Sequence, residues 1–234
     1  MKKGNWYYLF LIVIFLAFWA WAAIDPLYPS GWLLENYLIF IFVPIIIISG
    51  IYFRLSKLSY TLITIFMILH VIGSHYTYAE VPFGYILQSF FNANRNMYDR
   101  LVHFSFGLLL AYPVREVFIR ISHTKGVWGY YFPIELTLAF SAIYEVIEWA
   151  AAMVVDPQAG LAFLGAQGDV WDAQKDMALA FGGSIIAMGV VFLVNLVYQK
   201  NFKKELKQSF KIPKDDKPLG EVKLLSMIRG RIKK

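Results

Sequence analysis

The chain of 234 residues is 59% hydrophobic and only 16% charged, against roughly 25% charged in an average soluble domain; a chiefly soluble fold is excluded. It contains no cysteine, which removes disulfides, thiolate nucleophiles and thiolate metal sites. The net charge of +6 comes without a glycine-rich phosphate loop, a nucleic-acid module or an internal repeat, so it points to a membrane surface and no nucleic-acid partner is expected.

Uncharged runs cover residues 4–24, 36–53, 58–79, 104–114, 136–144 and 177–199. The first three and the last reach the roughly 18 residues needed to cross a bilayer core. The two short runs are read as parts of longer spans that carry ionisable groups. The expected fold is an all-α integral membrane protein with six transmembrane helices near 5–24, 34–53, 58–78, 99–120, 131–153 and 174–199, followed by a basic cytoplasmic tail at 200–234.

In chain order, the first run follows Met1-Lys2-Lys3 and is 21 residues long. A signal-peptide core is about 7–15 residues, so a retained first helix is expected even though Ala20-Trp21-Ala22 resembles a cleavage site. Asp25 and Glu35 fall at the outer boundary of the first two helices. Pro44 in the second and Pro113 in the fourth each remove a backbone donor and predict a kink. The third helix carries His70 and His75, about 140° apart around its axis, so at most one of them is expected to join a common site. Tyr76, Tyr78, Phe83, Tyr85, Phe90 and Phe91 crowd the next connection and read as an interfacial aromatic belt. The fourth helix opens with YDRLVHFSFG, which sets Asp99 and His103 at i, i+4 on one face. The fifth carries EVIEW, which sets Glu145 and Glu148 at i, i+3. Glu135, at the other end of that helix, reads as a dipole or interface residue. The sixth opens with GDVWDAQKDM, and Asp169, Asp172 and Asp176 share a face.

With the N-terminus inside, segments 1–3, 54–57, 115–129 and 200–234 hold 19 of the 22 Lys and Arg residues. That asymmetry predicts cytoplasmic N- and C-termini. The expected partners are the lipid bilayer and, for the tail, anionic lipid headgroups, with VKLLSMIRGRIKK as a short amphipathic helix.

This topology aims ionisable groups from several helices at one outer level. An Asp at a helix centre costs roughly 2.5–3.5 kcal/mol even on generous insertion scales, so such groups need partners. Six carboxylates, from Asp99, Glu145, Glu148, Asp169, Asp172 and Asp176, face Arg100 and Lys175. Ion pairing alone leaves about four without a cation. Either some are protonated or a divalent metal ion supplies the charge; carboxylates with imidazole suit Mg, Mn, Ca, Zn or non-haem Fe. The plainer alternatives are dipole capping by Asp169 and Asp172 and a hydrogen-bonded core role for His103. A di-metal carboxylate bundle is not matched, because Glu148 stands where a Glu-x-x-His motif needs histidine.

DRLVHF at 99–104, EVIEW at 145–149 and GDVWDAQKDM at 168–177 resemble, in that order, the YjdF-like family of bacterial inner-membrane proteins, over about residues 5–200. More distantly the chain is similar to the VanZ-like proteins through Asp99, Arg100, His103 and Phe104, then Glu145 and Glu148, then Asp172. It departs from them in having Asp176 where Asn followed closely by Gly is common. The resemblance implies the fold and a bacterial inner-membrane location, and implies no activity.

Three functions fit these residues. One is a metal-dependent enzyme acting on a lipid or lipid-linked headgroup, with Asp99, His103, Glu145, Glu148, Asp172 and Asp176 as metal ligands and His103 or Glu148 as catalytic acid or base. Another is a proton- or cation-coupled transporter using Glu145, Glu148 and Asp176 as a relay. The third is a non-catalytic membrane protein whose polar network fixes helix packing. Between Asp176 and Lys200 only Asn195 and Gln199 are strongly polar, which favours a one-sided site.

Overall fold

The computed structural model describes residues 5–155, 160, 165–211 and 226–230. Among the described residues the chain is helical with no strand. In order come α1 (Asn5–Ala22), α2 (Pro29–Tyr52), α3 (Lys57–Tyr76), a 3-10 turn (Tyr78–Glu80), α4 (Pro82–Phe90), α5 (Tyr98–Arg120), α6 (Trp128–Val154), α7 (Asp172–Tyr198) and α8 (Phe202–Gln208). Helices α2, α3, α5, α6 and α7 are long and apolar enough to cross a membrane, and α1 contributes a shorter apolar helix over Trp6–Ala22. The protein is an all-α membrane protein.

One boundary moves for a clear reason, and one helix is added. Helix α2 starts at Pro29, earlier than expected, because proline suits a first-turn position whose N–H would have no partner anyway. Helix α4 was not expected: its aromatics read only as an interfacial belt in the connection between two spanning helices. Helix α3 is capped by Ser56, whose side chain accepts from Ser59 N. The Glu116 carboxylate accepts Ser56 N at 2.8 and 3.0 Å and Ser59 Oγ at 2.5 Å, tying the start of α3 to α5.

Helix α5 is the hub: it packs against α7, α6 and α3, while α1 and α2 pack on α3. The α5–α7 contact is backbone to backbone. A Cβ at Gly107 would collide with Ala180 O, and one at Gly183 with Phe104 O. Small residues permit this approach, which gains dispersion contacts where lipid supplies no hydrophobic drive. Large apolar side chains such as Ile41, Ile47, Val190 and Leu193 point outward, as they do when the solvent is hydrocarbon.

The basic segment does not begin as a free tail. Phe202 is 1% exposed and packs on Tyr130 and Phe192 at 6.0 and 5.1 Å between centroids. Glu205 accepts Gly126 N at 2.8 Å, and Ser209 Oγ accepts Val127 N at 2.9 Å. These contacts dock α8 on the α5–α6 connection. Most of the 222–234 segment lies outside the described residues; 226–230 is helical.

Candidate functional site

The site forms where α5, α6 and α7 meet at one end of the bundle. Asp99 lies in the first turn of α5 with His103 one turn on, and both are buried. Helix α7 begins at Asp172 and buries Asp176 to 2% exposure. Left-handed backbone at Gly165, Gln167 and Gly168 (φ 59, 47 and 84) turns the chain into α7. Asn96 N donates to Gln167 Oε1 at 2.9 Å, and Gln167 Nε2 donates to Asn96 O at 3.3 Å, clamping this turn to the start of α5.

Two arginines stitch the helices together. Arg95 Nη2 donates to Asp99 Oδ2 at 3.1 Å and to Gly165 O at 3.1 Å, and its Nη1 pairs with Asp172. Arg100 Nη2 contacts Asp172 Oδ1 at 2.6 Å and Asp169 Oδ2 at 3.1 Å, and its Nη1 donates to Asp172 O at 3.0 Å and pairs with Asp176. Asp172 Oδ1 is thus committed to both guanidinium groups. Asp169 is no helix cap: its Oδ1 accepts Trp171 N at 3.1 Å within the turn, and its Oδ2 accepts Lys175 Nζ at 2.6 Å. The Lys175 hydrogen bond, with that from Trp171 N, lowers the Asp169 carboxyl below its ordinary value.

Beneath this layer lies a group of different character. Asp99, His103 and Asp176 each offer a ligand atom, all within 4.8 Å of one another. His103 Nε2 is 3.5 Å from Asp99 Oδ1 and 3.6 Å from Glu145 Oε1. Asp176 Oδ1 and Glu145 Oε1 are buried without a hydrogen-bond partner among the described residues. Leaving a buried polar atom unsatisfied costs about 1–3 kcal/mol, more for a charged one, so these two oxygens call for a cation or a proton donor. Glu148, one turn beyond Glu145 and half-buried, is within electrostatic reach of Glu145, Glu35, Asp99 and Asp176.

Arg95 and Glu35 stood outside the expected set. Arg95 sits four residues before Asp99, a spacing visible in the sequence, but it lies in a connection whose path no pattern reveals. Glu35 is buried near the start of α2 and accepts Tyr144 OH at 3.1 Å; the Tyr144 ring is 6.2 Å from that of His103. His70 Nδ1 contacts Tyr78 OH at 2.5 Å and its Nε2 contacts Glu35 O at 3.1 Å, so it borders the site. His75 stacks on Trp21 at 4.5 Å, away from it. Glu135 interacts with Tyr131 near the other end of α6. Seven carboxyl groups then share Arg95, Arg100 and Lys175, so the third base does not close the deficit once Glu35 is included.

Comparison with known proteins agrees with the fold. A family described as "Predicted membrane protein (DUF2238)" matches residues 7–196. The chain is 39% identical over 163 residues to the Inner membrane protein YjdF of Escherichia coli (strain K12), covering 69% of this chain and 77% of that protein. No solved structure matches.

Proposed function

The chain belongs to the DUF2238 family of predicted membrane proteins, and from that premise we propose that it is a multipass inner-membrane protein that binds a divalent cation and acts on a lipid or lipid-linked headgroup. The observation that carries the proposal is the buried meeting of Asp99, His103 and Asp176 within 4.8 Å, beside the unpartnered oxygens of Asp176 and Glu145. Asp99, His103, Asp176 and Glu145 would hold the ion. Bound there, it would polarise a phosphoryl or carbonyl oxygen of the headgroup. Glu148 stands one turn beyond Glu145 as acid or base. Asp172 would act as the counter-ion that holds Arg95 and Arg100 in place rather than as a ligand.

The site end faces away from the cytoplasm in this reading. Arg95, Arg100 and Lys175 are the three basic residues outside the cytoplasmic segments, and all three are paired with site carboxylates. Three basic residues against 19 on the other side keep the positive-charge bias that sets orientation. The same reading assigns Lys200, Lys203, Lys204 and Lys207 to anionic headgroups at the cytoplasmic surface. Transport fits less well. Gly107 and Gly183 bring α5 and α7 into backbone contact, and between Asp176 and Lys200 helix α7 offers only Asn195 and Gln199 as strongly polar side chains to continue a path.

Thermal unfolding of detergent-purified protein tests the proposal. After chelation, added Mn2+ or Zn2+ should raise the midpoint of the parent protein and leave Asp176→Asn nearly unmoved. Equal shifts in both, or none in either, would contradict it.

A further inference from the structure

Helix α4 leaves one face without a partner among the described residues, and its place says what covers it. Phe83, Ile86 and Phe90 share a face at i, i+3, i+7; Ile86 is 63% and Phe90 79% exposed. No charged residue lies between Glu80 and Arg95. The opposite face is fixed. Val81 and Asn96 are buried; Asn96 Nδ2 donates to Val81 O at 2.9 Å, and Met97 N donates to Gly84 O at 3.2 Å. A Cβ at Gly84 would collide with Asn96 Oδ1, so the helix is seated closely.

Asn96 also binds Gln167 on the turn before α7. That turn carries a second apolar projection, Val170 and Trp171, 84% and 62% exposed. Two apolar prongs, joined through Asn96 and Gln167, therefore flank the loops that carry Arg95 and Asp169. Helix α4 is tethered at both ends to spanning helices, α3 and α5, which holds it at the level where their lipid-facing surfaces end.

We propose that the α4 face and the Val170–Trp171 tip are seated in the bilayer leaflet at the site end of the bundle, and that they set the headgroup of a leaflet lipid at the mouth of the site. An amphipathic helix in this position buries its apolar face about 5–10 Å into the headgroup–acyl boundary. The seat itself needs no metal; the delivery of a headgroup rests on the function proposed above.

The absence of cysteine makes single-cysteine variants clean. Nitroxide labels at Ile86→Cys, Phe90→Cys and Val170→Cys in phosphatidylethanolamine–phosphatidylglycerol vesicles should collide preferentially with oxygen, and one at exposed Asn94→Cys with a water-soluble nickel chelate. The oxygen-to-nickel ratio should be severalfold higher in the first set, because oxygen partitions into the acyl chains and the chelate stays in water. A phospholipid carrying an aryl azide on its headgroup should crosslink to residues 165–176 of the parent protein, and severalfold less when Ile86 and Phe90 are both replaced by Asp. Ratios at 86, 90 and 170 equal to that at 94, or spin–spin broadening from a second copy, would overturn the seat. Unchanged crosslinking in the double variant would overturn the delivery. The label readout is independent of bound metal, so the seat stands or fails separately from the cation proposal, and crosslinking repeated after chelation separates delivery from metal binding.

Discussion

At the scale of residues, the site has two layers with different demands. Arg95 and Arg100 bind the carboxylates of Asp99, Asp169, Asp172 and Asp176, whereas Asp176 Oδ1 and Glu145 Oε1 have no hydrogen-bond partner among the described residues. Removing one member of a buried ion pair strands the other and costs about 3–5 kcal/mol. Arg95→Ala and Arg100→Ala should therefore lower the unfolding midpoint strongly, and Asp172→Asn should do so with little effect on metal-dependent stabilisation. Asp99→Asn and Asp176→Asn should abolish that stabilisation. Asp169→Asn should be mild, and its effect should depend on pH. Because the folded-state value of Asp169 is lowered, its ionised form favours the fold above the ordinary aspartate range near about 3.9, and that contribution is lost as pH falls through the lowered value. The gap in midpoint between parent and Asp169→Asn should shrink from about pH 6 towards pH 3; a gap that widens on acidification would contradict the assignment. The Asp99–His103 pair was legible because i, i+4 on a helix fixes it. Arg95 was not, because its reach depends on a turn built by Gln167 and Asn96.

At the scale of elements, the α5–α7 contact places Asp176 against Asp99 and His103. Gly183→Ala pushes a methyl into Phe104 O and should cost about 1–3 kcal/mol, the usual range for overpacking. Gly182→Ala is the control, since a Cβ there meets nothing within 4 Å, and it should be neutral or stabilise by up to about 1 kcal/mol. Equal effects in thermal unfolding would mean that this backbone approach is not a constraint. Spanning helices were readable from uncharged length, because hydrocarbon forces every backbone group to be satisfied within the helix. Helix α4 was hidden because nine residues are too few for an apolar face to separate a short helix from an interfacial loop rich in aromatics, and the docking of α8 was hidden because one aromatic, Phe202, anchors it among lysines.

At the scale of the whole molecule, burial of so many carboxylates at one end sets the electrostatic problem that the fold must solve. Topology comes first: a reporter active only in the cytoplasm should respond when fused after Lys200, and one active only outside should respond within residues 85–95. The reverse would move the site to the cytoplasmic face. Sequence charge alone indicated too few bases for the carboxylates, and the geometry adds both one base, Arg95, and one more acid, Glu35. Neither the identity of the ion nor its ligand set follows from that balance, since coordination is a property of distances between helices that no sequence period encodes. The most direct test is elemental analysis of protein purified in detergent without added metal, parent beside Glu145→Gln/Glu148→Gln. The parent should carry a divalent metal near one per chain and the double variant markedly less; a parent that retains no metal after mild purification, or a variant that keeps as much, would contradict the cation site.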